Sequence, residues 1–184
     1  MNAKVGVMGS SGGDIHPEVR QKCFDLGRAI ARHGCVVITG ACPGLPYESI
    51  LGAKAEGGLT VGISPGLSLE EHVTKYQSPV EGHDVLIFTG SGLMGREITN
   101  IRSCDVVVIV GGRSGTLGEL AIAYDEDKTI GVLEGTGGIA DHVDDIIGFC
   151  GKVTNAKIIY DSDPDRLVRR LLDLWHTASP GQPE

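Results

Sequence analysis

Seven short runs of β-branched and apolar residues, most closed by a glycine-rich turn, restrict what this chain can fold into more than any other feature. They are Val5–Met8, Cys35–Ile38, Leu59–Ile63, Asp84–Phe88, Asp105–Val110, Thr129–Leu133 and Ala156–Tyr160. Most are apolar throughout and do not alternate, as strands of a parallel sheet do when helices cover both faces. Helical segments lie between them. Pro17 opens one that runs to about His33, Ser68-x-x-Glu71 can cap a short one, and Asp163 places a capping side chain before Pro164. This alternation predicts an α/β fold: right-handed βαβ units in a single-domain, doubly wound, mostly parallel, Rossmann-like sheet of about seven strands. No linker divides the chain, so one domain is expected over 1–177, with the Pro/Gly-rich segment 178–184 as a disordered tail.

In such sheets ligands bind beyond the carboxyl ends of the strands, near the point where strand order reverses. The turns there are Gly9-Ser10-Ser11-Gly12-Gly13, Gly40-Ala41-Cys42-Pro43-Gly44, Thr89-Gly90-Ser91-Gly92 and Gly111-Gly112-Arg113-Ser114-Gly115-Thr116. Glycine, 28 of 184 residues, concentrates in them, where tight turns or close backbone approach to a ligand need residues without a Cβ. The last turn leads directly into a helix, so its unpaired N–H groups and the positive end of the helix dipole make an anion site. It is not a Walker A loop, because no Lys follows Gly115. The first turn lacks GxGxxG spacing, and the second strand ends without an acidic residue for a ribose, which disfavours ordinary NAD chemistry.

A formal charge of −8, with no basic run to override it, repels a polyanion, so nucleic acid is not an expected partner. No apolar run approaches the roughly 18 residues that span a bilayer, and Met1-Asn2-Ala3-Lys4-Val5 does not begin a secretory signal, so a cytoplasmic protein without membrane attachment is expected. Cys23, Cys35, Cys42, Cys104 and Cys150 are widely spaced and form no CxxC pair, which suggests mainly buried thiols and no protein-ligated metal.

Gly111-Gly112-Arg113-Ser114-Gly115-Thr116-Leu117-Gly118-Glu119 resembles the PGGxGTxxE signature of the LOG-like, lysine-decarboxylase-like superfamily. Arg96 stands upstream where that family keeps its arginine. The resemblance continues through Val7-Met8-Gly9-Ser10-Ser11, Gly40 to Gly44 and Gly52-Ala53-Lys54-Ala55-Glu56-Gly57-Gly58. Gly111 and Arg113 replace the Pro and second Gly of the signature, and Glu97 replaces a Lys, so the pattern is closer to the branch that includes molybdenum cofactor carrier proteins.

The resemblance implies a small phosphorylated ligand, either a nucleoside monophosphate or molybdopterin, and a homodimer or larger homo-oligomer with the site near its interface. It implies one of two functions, neither requiring a resident cofactor. One is hydrolysis of the N-glycosidic bond of a nucleoside 5'-monophosphate, with catalytic Arg96 orienting the base or a carboxylate and catalytic Glu119 stabilising charge on the ribose or positioning water. The other is carriage of the molybdenum cofactor without chemistry. The ligand and phosphate site expected in either case comprises Gly9, Ser10, Ser11, Gly40, Gly44, Gly90, Ser91, Gly111, Gly112, Arg113, Ser114, Gly115 and Thr116.

Each functional residue also has a structural role to weigh. Thr116-x-x-Glu119 is a capping box in form. Arg96, early in a helix, is opposed by the dipole, which leaves less structural reason for it. Arg113 can clamp a phosphate or be solvated; Ser10, Ser11 and Ser91 can donate to a phosphate or satisfy a turn. Arg102 is expected at the surface, Cys42 to be incidental, and His72, His142 and Tyr124–Asp127 to lie on solvated helix faces.

Overall fold

The computed structural model describes residues 2–178. The elements run β1 (Lys4–Gly9), α1 (Pro17–Arg32), β2 (Val36–Thr39), α2 (Leu45–Ala55), β3 (Thr60–Ser64), α3 (Leu69–Thr74), β4 (Val85–Phe88), α4 (Gly92–Arg102), β5 (Val106–Val110), α5 (Ser114–Asp125), β6 (Thr129–Leu133), a 3-10 turn at Gly138–His142, α6 (Val143–Cys150), β7 (Lys157–Asp161) and α7 (Pro164–Ala178). Every expected strand forms, and all neighbouring strands pair in parallel in the order β4-β3-β2-β1-β5-β6-β7. Strand order reverses between β1 and β5, so their carboxyl ends flank the crevice of a doubly wound sheet. Ala178, placed in the tail by its composition, closes α7; residues 179–184 of that tail lie outside the described residues.

The apolar runs divide their side chains between two cores, because successive residues of a strand face opposite sides. Val5, Val7, Val106, Val108 and Val110 pack with α1, α2 and α7. Met8, Val107 and Ile109 pack with Ile101 of α4 and Leu120 and Ala123 of α5. The capping readings hold at two helices: Ser68 Oγ accepts the Glu71 N–H at 3.2 Å, and an Asp163 carboxylate oxygen accepts the Arg166 N–H at 2.7 Å.

Two glycines set the spacing of α1 and α2. A Cβ at Gly27 would collide with the Ser49 carbonyl, and one at Gly52 with the Phe24 carbonyl. The Gly52 helix, noted in the sequence as a family feature, is therefore a backbone-to-backbone contact that fixes α2, and α2 follows directly from the Gly40–Gly44 turn. The second core thins toward β3 and β4. Leu59, Val85 and Ile87 are 45–50% exposed there, and Leu59, Val61 and Ile87 border an open apolar groove.

Candidate functional site

Three of the four turns, those at 9–13, 40–44 and 111–116, border a cleft of about 350 Å³ at the reversal of strand order, with α4 as a further wall; the expected turn at Thr89–Gly92 follows the edge strand β4 and contributes no lining residue. Of the residues singled out in the sequence, Gly9, Ser10, Ser11, Gly40, Arg96, Arg113, Ser114, Gly115, Thr116 and Glu119 line it. The sheet brings them together because β1 and β5 are neighbours and α4 returns from the far edge to precede β5. Val7, Met8, Cys42, Pro46, Leu93, Met94 and Glu97 complete the lining.

The remaining candidates, Gly44, Gly90, Ser91, Gly111 and Gly112, do not line the cleft. Gly44, at φ +90°, presses the second turn onto the first, and the Leu45 N–H donates to the Ser10 carbonyl at 2.8 Å. Gly90, at φ +64°, and Ser91, the residue before α4, set where that helix begins. Gly111 and Gly112 turn the chain at φ +57° and +110°, but their amides are already used: Gly111 N–H donates to Thr136 Oγ1 at 2.8 Å and Gly112 N–H to Ser10 Oγ at 2.7 Å. The amides left without such a partner therefore lie one step further along the chain. Ser114, Gly115 and Thr116 form the first turn of α5, whose N–H groups have no carbonyl four residues back inside the helix. Ser10 accepts from Gly112 and keeps its own hydroxyl proton to donate. Arg113, exposed, precedes that turn.

The Thr116–Glu119 capping box does not form. The helix begins two residues before Thr116, Arg113 occupies the capping position, and no side chain caps the end. Glu119 is thus an interior helical residue, only 7% exposed, facing the cleft. Its Oε1 lies 3.7 Å from Arg96 Nη1. Burial pushes the Glu119 carboxyl up to about 7, while Arg96 pulls it down and Glu97 adds to the rise.

Arg96 is 6% exposed and lies where only glycine at position 40 leaves room, since a Cβ there would collide with its guanidinium. Nη2 is 3.7 Å from Cys42 Sγ, and Nε has no partner among the described residues. Behind it, the buried Asn100 donates from Nδ2 to Met8 Sδ at 3.1 Å and leaves Oδ1 unpartnered. Cys42 is half-buried, and burial raises its thiol, which argues against a ready thiolate.

Glu97 was not among the candidate site residues. It lies in the buried stripe Arg96, Glu97, Asn100 and Ile101 of α4 and is 5% exposed. Its carboxylate rests against α5 at Gly115 and Gly118; a Cβ at Gly118 would come within 2.9 Å of Oε2. Burial raises this carboxyl too, against the pull of Arg96. The available signal was its spacing four residues before the apolar Ile101, which puts both on one helix face.

His72 is not on a solvated face: it is fully buried, with Nδ1 2.8 Å from Ser64 Oγ and Nε2 3.0 Å from the Pro79 carbonyl. A hydroxyl at the end of β3 and a carbonyl of the loop after α3 satisfy both ring nitrogens, which a six-residue helix pattern could not reveal. Arg102 is at the surface, paired with Glu126 at 2.6 Å, and His142 is exposed. Among the described residues no group of three or more His, Cys, Asp or Glu side chains is arranged to hold a metal ion, and no helix is long and apolar enough to cross a membrane.

The model of the SLOG cluster4 family matches residues 2–168. An uncharacterized protein of Archaeoglobus fulgidus is 33% identical over 131 residues, covering 71% of this chain and 80% of the relative. The molybdenum cofactor binding protein of the phototrophic bacterium Rippkaea orientalis is 28% identical at a TM-score of 0.77, with 95% of this chain and 98% of that one covered. The molybdenum cofactor carrier protein of Chlamydomonas reinhardtii is 28% identical at a TM-score of 0.74, with 94% and 99% covered.

Proposed function

From the premise that this chain belongs to the SLOG cluster4 family, a LOG-like branch near the molybdenum cofactor carriers, we propose that its cleft holds a small phosphorylated, nucleotide-like molecule, with the molybdenum cofactor as cargo. The observation that carries this reading is that Ser114, Gly115 and Thr116, the first turn of α5 with its unpaired amides, line the cleft at the strand reversal. Arg113 and the Ser10 and Ser11 hydroxyls stand beside that turn and suit the remaining phosphate oxygens. Met8, Pro46, Leu93 and Met94 offer apolar walls to a flat heterocycle, and about 350 Å³ is within the usual range for a ligand pocket.

Catalysis is the second reading, favoured by one feature. Glu119, raised to about 7 beside Arg96, has the protonation behaviour of a group that gives or takes a proton near neutral pH. On that reading it assists N-glycosidic hydrolysis of a nucleoside 5'-monophosphate. Native mass spectrometry of freshly purified protein, with an assay of base release from AMP, separates the two. Carriage predicts a phosphorylated pterin mass and no base release; catalysis predicts an adenylate and measurable release. A bound species without phosphate would contradict both.

The apolar groove along β3 and β4, with Met94 and Ile98 exposed on α4 nearby in the chain, suits a second copy of the chain. A homodimer is therefore expected by light scattering at micromolar concentration. Ile87→Glu should weaken it by at least about tenfold, since it places a charge in apolar surface. A monomeric wild type would remove this part of the proposal.

A further inference from the structure

We propose that Glu97 determines the specificity of the cleft, its carboxylate reading two adjacent N–H donors on the edge of a 2-amino-4-oxopyrimidine ring, the edge shared by guanine and pterin. The proposal rests on the reading that the cleft takes a phosphorylated heterocycle, and it names which heterocycle.

Glu97 is 95% removed from solvent, lines the cleft, and makes neither a hydrogen bond nor an ion pair with the described residues; Arg96 acts on it only through its field. Its carboxylate oxygens are not sealed in the core but keep access to the cleft, which is the side from which donors can reach them, and polar groups this far from bulk water are ordinarily bonded. Glycine at 115 and 118 keeps α5 close enough to cover Glu97 yet gives it no side-chain donor. Arg96, one residue away, is committed instead toward Glu119, Cys42 and the Gly40 turn.

A ligand is then the natural source of donors. A carboxylate has two acceptor oxygens and no proton to give when ionised, so it matches an edge bearing a ring N–H beside an exocyclic amine. Guanine and pterin present that edge. Adenine instead presents a ring-nitrogen lone pair beside its amine, which a carboxylate repels. The apolar side chains of Met8, Leu93 and Met94 supply contact for the ring faces but no donors to compete.

Titration calorimetry of GMP, AMP and 6-hydroxymethylpterin monophosphate against wild type and Glu97→Gln tests this, with thermal melts confirming that the variant is folded. Wild type should prefer GMP and the pterin over AMP by on the order of tenfold or more, the scale of a bidentate pair. Glu97→Gln should collapse that preference to within about twofold. The tighter of GMP and the pterin identifies the source of the shared edge. AMP binding as tightly as both in wild type, or a preference that survives in Glu97→Gln, would overturn the Glu97 assignment alone. No binding of any of the three would overturn it together with the proposed function.

Discussion

Glu119→Gln should make the ligand-free protein more stable at pH 8, by on the order of 2–3 kcal/mol, or roughly 5–10 °C in melting temperature for a chain of this size. The sign follows from the direction in which burial moves this carboxyl, from 4.5 to about 7. Below pH 4.5 it is neutral in both folded and unfolded chains and costs nothing. Between about 4.5 and 7 only the unfolded chain ionises, so the folded state loses ground as pH rises. Above 7 the full cost of the buried charge is present. Gln is nearly isosteric and carries no charge, so the variant should also flatten the decline in stability between pH 4.5 and 7. Thermal melts of both proteins across pH 4 to 8 check this; a variant less stable at pH 8 would contradict the account.

A position where the natural residue costs stability is one where function is a ready explanation. If the cleft hydrolyses nucleoside monophosphates, the same substitution should slow base release by roughly 100-fold or more, the scale of losing one charge-stabilising group. If it carries its ligand unchanged, only affinity should move.

The other large effect is structural and lies at the back of the site. Gly52→Val should cost about 3 kcal/mol or more, because the new side chain meets the Phe24 carbonyl and can be housed only by parting α1 from α2. That parting also pulls Leu45 from the Ser10 carbonyl and loosens the Gly40–Gly44 turn under Arg96. Urea titration should show an earlier midpoint and calorimetry weaker GMP binding. A midpoint within error of wild type would mean that the two helices are not held at backbone contact.

What could be read from the sequence divides along local and tertiary lines. The strands, the Pro17 helix and the caps at Ser68 and Asp163 rest on nearby residues, and the structure reproduces them. Three of the four turns were legible as cleft loops because clefts in such sheets lie beyond the strand ends, whereas Thr89–Gly92 follows the edge strand and lies off the cleft. What stayed hidden depends on partners distant in the chain. Thr136 and Ser10 consume the Gly111 and Gly112 amides from 25 and 102 residues away, which moves the free amides to Ser114–Thr116. Glu97 is buried by α5, and His72 is satisfied by a hydroxyl from β3 and a carbonyl from the following loop. The strand order that seats β1 beside β5 is likewise a property of the whole sheet.

Whether a phosphate rests on the first turn of α5 is decided by a crystal structure of the protein with GMP or 6-hydroxymethylpterin monophosphate. Phosphate oxygens should lie within hydrogen-bonding distance, about 2.7–3.2 Å, of the Ser114, Gly115 or Thr116 amide nitrogens, with Arg113 or Ser10 alongside. A phosphate bound on any other loop, or a ligand occupying the cleft with its phosphate turned away from α5, would contradict it.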